Sequence, residues 1–312
     1  MEPLVGAVCV AAVFLVWIPA HCAGVQFGPR VTRCQLIDTT IKEASGLAVS
    51  KVHHGVVYTH NDKGGLNVIF AVNTTDCSTV ATMSINSASN WDWEDLSYGP
   101  CLDDCARQPC RVDLTPQRYC IYIADIGDHG GDGPADDIYV IREPPTLTNT
   151  SLDIAGTIRF NWTELDAETL MLSPDARLFI VSKVHGGHAT IAQIPPSAWN
   201  LADRVTLDKS HVATLRINTT SNDPQGGEIS PDGRAMLLVA EHNIYYYSVP
   251  DGDFIQAVKD QIPTQVNTYE RAPGSEGIAW SEDGKSFFVL PEGKHPYLYT
   301  YTVDRSAEVV VG

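Results

Sequence analysis

Three stretches of the chain end in the same turn and approach it through the same alternation. ETLMLSPDA (from Glu168), QGGEISPDG (from Gln225) and EGIAWSEDG (from Glu276) align without gaps on Ser-x-Asp followed by Gly or Ala. SGLAVS from Ser45 and EDLSYG from Glu94 join them by pattern. Two and four positions after the first residue stand Leu47/Val49, Leu96/Tyr98, Leu170/Leu172, Gly227/Ile229 and Ile278/Trp280. Period-two alternation is the mark of a strand with one packed face. A repeated strand unit also places equivalent residues at equivalent points in space.

Each unit continues in the same way. A second apolar run follows the turn (GVVYTH, CIYIAD, RLFIVS, AMLLVA, SFFVLP), then a third (NVIFAV, DIYVIR, TIAQIP, IYYYSV, YLYTYT). STVATMSI, AGTIRFNW, HVATLRI and a weaker segment near IPTQVNTY are candidates for a fourth. Units of four short strands at spacings of 49, 74, 57 and 51 residues predict an all-β chain, a β-propeller with five blades of four antiparallel strands. The longest interval carries a Cys-rich insertion at about 99–119, and a sixth blade hidden there is the alternative. The fifth unit lacks a strand after YLYTYT. VTRCQLI (Val31 to Ile37) precedes the first unit, and as an N-terminal strand it would close the ring and remove the open edge. The C-terminal AEVVV is the other candidate for that position.

Residues 1–23 read as a signal peptide that is removed, leaving 24–312 as one propeller domain. The leader has no Lys or Arg before its apolar core, so a retained anchor helix is the competing reading. No second stretch approaches spanning length, so the mature protein is expected to be soluble and secreted. Six of the eight cysteines then remain: Cys34, Cys77, Cys101, Cys105, Cys110 and Cys120. An even count in an exported chain reads as disulfides, with fifteen pairings open. A zinc site in CLDDCARQPC competes, but the stretch holds no histidine and lacks ribbon spacing. Sequons at Asn73, Asn149, Asn161 and Asn218 fit N-glycosylation on the same route. The formal charge of −17 argues against nucleic-acid and anionic-membrane partners and favours cations or basic partners.

In a propeller, the starts of the first strands and the ends of the second strands meet around one mouth. The first set is Glu94, Glu168 and Glu276, with Gln225 and Ser45 completing the ring. The second set is His60, Asn61 and Asp62; Asp125 with Asp128 and His129; Lys183 with His185 and His188; Glu241 and His242; and Glu292 with His295. Two readings of the glutamates stand open. Each can be a clasp that accepts backbone N–H groups from the next blade, with a lowered pKa. Alternatively, the three converge, and their repulsion is relieved by protonation, by Lys183 or by a cation such as Ca2+, which takes six to eight oxygens. The histidines show neither H-x-H nor H-E-x-x-H spacing, so they read as solvated turn residues or as a pH-sensitive mouth. Trp91 and Trp93 either pack between blades or stack on a ligand. The chain has no G-x-S-x-G, P-loop or reactive-cysteine context, which leans the reading away from an enzyme.

Several strings resemble a family of secreted, largely uncharacterised β-propellers, common in bacteria and sometimes labelled WD40-like or phytase/esterase-like. They are Ser45-Gly46-Leu47 with Thr59-His60-Asn61-Asp62, Asp92-Trp93-Glu94-Asp95-Leu96, Asp125-Ile126-Gly127-Asp128, Ile138 to Pro144, Asp166-Ala167-Glu168 and Ser275-Glu276-Gly277-Ile278. The departures are His129, where the family has Asn, and the Cys-rich insertion. The resemblance implies a propeller with a functional mouth. The functions in view are a binder of an extracellular ligand or protein with a divalent cation at the mouth, a metal-assisted hydrolase of phosphoesters or lactones, and an acidic matrix or mineral-associated protein.

Overall fold

The computed structural model describes residues 24–103, 111–112, 119–127, 136–164, 166–199 and 203–306. The leader, Cys105, Cys110, Asp128, His129 and the AEVVV segment lie outside them.

The Ser-x-Asp-Gly unit makes a tight turn by local hydrogen bonding. Ser230 Oγ donates to Asp232 Oδ1 at 2.6 Å and accepts from the backbone N of Ala235 at 2.9 Å. Ser281 repeats this with Asp283 (2.8 Å) and Ser286 N (3.0 Å). The fourth residue adopts the left-handed conformation, with φ of 68° at Gly233, 65° at Gly284 and 62° at Ala176, which explains the preference for Gly there.

Each turn joins the first two strands of an antiparallel blade. Blade 1 runs through Ala44–Val49, Val56–Asn61, Val68–Asn73 and Thr79–Asn86. Blade 2 is built from Trp93–Pro100, Tyr119–Asp125, Asp137–Arg142 and Thr150–Asn161. Blade 3 comprises Ala167–Leu172, Leu178–Ser182, Thr190–Ile194 and Val212–Thr214. Blade 4 is Gly226–Ile229, Ala235–Val239, Ile244–Ser248 and Thr264–Gln265. Blade 5 has Ser275–Trp280, Ser286–Pro291 and Tyr297–Asp304, completed by Val31–Gln35 from the N-terminal side. The first strands pack against one another in the cyclic order of the blades, and the fifth returns to the first. The insertion contributes only the two-stranded ladder Leu102–Asp103 with Arg111–Val112 among the described residues, so the ring has five blades and not six.

One expectation needs correcting. The inner strands are buried on both faces: Trp93–Pro100, Ala167–Leu172 and Ser275–Trp280 are buried throughout. The alternation sorts side chains between two neighbouring blades and not between core and water. Leu170 and Leu172 join the apolar cluster shared with blade 2, whereas Met171 joins the one shared with blade 4. Five such clusters fill the five interfaces, including Leu47 and Val57 against Ala279 and Leu290 where blade 1 meets blade 5.

Two disulfides hold the ring. Cys34–Cys77 ties the closing strand to the outer turn of blade 1, and Cys101–Cys120 staples the base of the insertion.

Candidate functional site

The repeated glutamates reach the mouth through a shared irregularity. In blade 2, Ala124 pairs with Asp95 and Asp125 with Trp93, so Glu94 is an extra residue between them. Glu168 is likewise extra between Ala167 and Thr169, and Glu276 between Ser275 and Gly277. Blade 1 breaks register across Ser45 and Gly46. A β-bulge re-aims the side chain it inserts, and here it does so at the same point in four blades. Blade 4 pairs regularly at Gly226, with Gln225 N donating to Val239 O at 2.9 Å.

Glu94 and Glu168 are 2% exposed and Glu276 8%. Around them stand Asp92, which is buried, and the half-buried Asp62, Asp166, Lys183 and Glu292. One oxygen each from Asp62, Asp92 and Glu94 lie within 4.8 Å of one another, and so do oxygens from Glu94, Asp166 and Glu168. Lys183 Nζ donates to Glu168 Oε1, and Lys63 Nζ lies 3.3 Å from Asp92 Oδ2. Among the described residues, Glu94 Oε1 is buried without a hydrogen-bond partner. Gly127 leaves room for it: a Cβ there would come within 1.9 Å of Glu94 Oε1 and 2.7 Å of Asp92 Cγ.

Burial, and then the charge of Glu168, raises the Glu94 pKa well above the usual carboxylate range. Burial also pushes Glu168 up, against the pull of Lys183, to about 7. Burial and Glu168 take Glu276 to about 9, and burial with Asp62 takes Glu292 to about 7. Burial works against the Lys183 charge, but Glu168, Glu94 and Asp166 outweigh it and raise its pKa. Such a cluster is short of positive charge, the condition in which a multivalent cation binds.

The clasps between blades exist, but neighbours of the ring glutamates make them. Asp95 Oδ2 accepts from Leu170 N of blade 3 at 2.9 Å, and Ser97 Oγ accepts from Leu172 N at 3.1 Å. Glu228 accepts from Trp280 N of blade 5. Ser45 belongs with the clasps, since its hydroxyl donates to the backbone oxygen of Glu94.

The second-strand ends divide. Asp62 and Glu292 join the acidic mouth. Asp125 supports it from behind, its carboxylate accepting from Asp92 N at 2.8 Å and from Tyr139 OH at 3.3 Å. Asn61 Oδ1 accepts from Lys42 N at 2.9 Å and from Glu43 N at 3.2 Å, so it holds a loop. Glu241 pairs with Arg271 and Ser221. The histidines do not form a ring. His60 is fully buried edge-on to Trp93, and burial lowers its pKa to about 4, keeping it neutral. His185, His188, His242 and His295 are exposed, and His295 Nδ1 lies 3.2 Å from Leu36 O. Trp93 is core, donating to Ser89 O at 2.8 Å, whereas Trp91 is 52% exposed.

Asp92 and Asp166 were not among the expected ring residues. The signal that reveals them is Asp-x-Glu in DWE and DAE, visible when the repeat is read two residues further back.

Fold and site together define a closed five-bladed propeller with a buried carboxylate cluster at its mouth. No protein-family model matches the chain, and no curated protein is similar to it. Among solved structures, it is similar to the PQQ-bound form of aldose sugar dehydrogenase from Streptomyces coelicolor, at 10% identity and a TM-score of 0.48, over 90% of this chain and 99% of that one. It is also similar to hydrazine synthase from Kuenenia stuttgartiensis, at 13% identity and a TM-score of 0.41, over 84% of this chain and 71% of that one. No site residue is carried over from either.

Proposed function

We propose that the protein is a secreted, glycosylated binding propeller that holds a divalent cation, calcium or a similar ion, at its mouth and presents it to an extracellular ligand or protein. The observation that carries this reading is Glu94 Oε1, a buried oxygen with no hydrogen-bond partner among the described residues, standing among converging acids. The Asp62, Asp92 and Glu94 oxygens supply the first ligands. Their spacing fits an ion with Ca–O distances of 2.3–2.6 Å, whose ligand atoms lie at most about 5 Å apart. The charge of −17 draws cations towards the mouth.

Export is supported by the leader, by two disulfides and by exposed sequons at Asn149, Asn161 and Asn218, with Asn73 half-buried. Among the described residues no helix is long and apolar enough to cross a membrane.

The test is thermal unfolding in calcium and in EDTA, with elemental analysis of the purified protein. A rise in Tm with calcium that Glu94→Gln abolishes supports the reading. Equal Tm values with no bound metal overturn it. A second reading, metal-assisted hydrolysis of phosphoesters or lactones, draws on Glu168, whose pKa of about 7 beside Lys183 suits a proton-transfer group. Calcium-dependent turnover of such esters that is lost in Glu168→Gln would select it over simple binding.

A further inference from the structure

We infer that the mouth is built for two cations bridged by Glu94, and that the Lys183 ammonium fills the second position until it is displaced. This rests on the cation reading above and deepens it. Glu94 is the one residue common to the two acidic triads, Asp62/Asp92/Glu94 from blades 1 and 2 and Glu94/Asp166/Glu168 from blades 2 and 3. It stands on a bulge at the seam between them, with Oε1 buried and without a hydrogen-bond partner among the described residues. A carboxylate has two oxygens and about four lone-pair directions, so one side chain can serve two ions.

The second triad differs from the first in already holding a positive charge. Lys183 bonds to Glu168 within it. The backbone shows what Lys183 replaces. Its N donates to Asp166 O at 2.9 Å, one step beyond the last strand pair. Asp62 N to Glu43 O (2.9 Å) and Glu292 N to Gly274 O (2.7 Å) make the same bond in blades 1 and 5. At this equivalent position, blades 1 and 5 carry acids and blade 3 carries a tethered cation. The ammonium balances the Glu168 side of the cluster at one unit of charge, and a divalent ion competes for the same oxygens. Lys183 thereby sets how many ions the mouth takes.

Mn2+ is the probe, titrated by calorimetry into the mature, disulfide-bonded protein and followed by electron paramagnetic resonance. Wild type is expected to bind one ion tightly, with an uncoupled spectrum, and a second only weakly, at excess Mn2+. Lys183→Met should bind two ions with the exchange coupling of a bridged pair, and Lys183→Arg should behave as wild type. Two tight ions in wild type, or one ion in a folded Lys183→Met, overturns the inference while leaving the cation site intact. No binding to wild type removes the cation reading and this inference with it. Should the methionine variant fail to fold, acetylation of Lys183 in the unaltered protein decides. Excess Mn2+ must accelerate it if the amine is expelled, and an unchanged rate overturns the idea.

Discussion

Glu94 depends on a residue with no side chain. Because a Cβ on Gly127 would overlap Glu94 Oε1 and crowd Asp92, Gly127→Ala must push both carboxylates aside. The expected result is a loss of cation affinity of about tenfold or more, equivalent to about 1.4 kcal/mol, with the fold retained. Calorimetry and circular dichroism check the two halves of that statement. The mouth acids also give stability a pH dependence of defined sign. Glu168 and Glu292 titrate at about 7 and Glu276 at about 9, all above the ordinary 4.5. Between those values the folded protein holds more protons than the unfolded chain, so stability falls as pH rises. In EDTA, Tm should therefore decline from pH 5 to pH 9. The gain from calcium should grow over the same range, because the ion binds the ionised carboxylates. A Tm in EDTA that climbs towards pH 9 would contradict the burial of these groups.

At the scale of strands and blades, side chains that follow the repeated glutamates hold neighbouring elements together. Asp95 accepts from Leu96 N at 2.8 Å as well as from Leu170 N, and burial raises its pKa well above the usual range. Asp95→Ala leaves buried backbone donors unsatisfied and should cost about 1–3 kcal/mol. Asp95→Asn keeps an acceptor in place and should cost less. Urea denaturation of the pair separates the hydrogen bond from the charge. The clasp principle was legible in the sequence, but its location was not. A strand's alternation says that Asp95 and Glu94 point opposite ways, yet it does not say which of them a bulge turns towards the mouth. The histidines failed for a related reason. They fall near the same end of each blade but at different positions in the repeat: His60 lies on the buried strand Val56–Asn61, two residues before Asp62, whereas His242 and His295 sit in turns beyond the strand ends.

Across the whole molecule, the closing strand makes five blades into one ring. Val31–Gln35 covers the edge of Tyr297–Asp304, and Cys34–Cys77 carries that closure on to blade 1. Replacing both cysteines by serine should cost about 2–4 kcal/mol in urea unfolding. Removing residues 24–35 should also uncover an edge strand and drive association, read as a rise in mass by light scattering. The sequence by itself determined the repeat and the strands within each unit, while the choice of five blades over six and of Val31–Gln35 as the closing strand fell to the structure. The repeat and its strands follow from alternation and turn chemistry, which are properties of contiguous residues. Only the tertiary structure decided which acids meet. Convergence depends on where each bulge turns a side chain and on the angle between blades, and five interblade cores set that angle. Asp92 and Asp166 thus enter the cluster, Glu241 leaves it for Arg271, and Lys183 comes to stand among carboxylates contributed by three different blades.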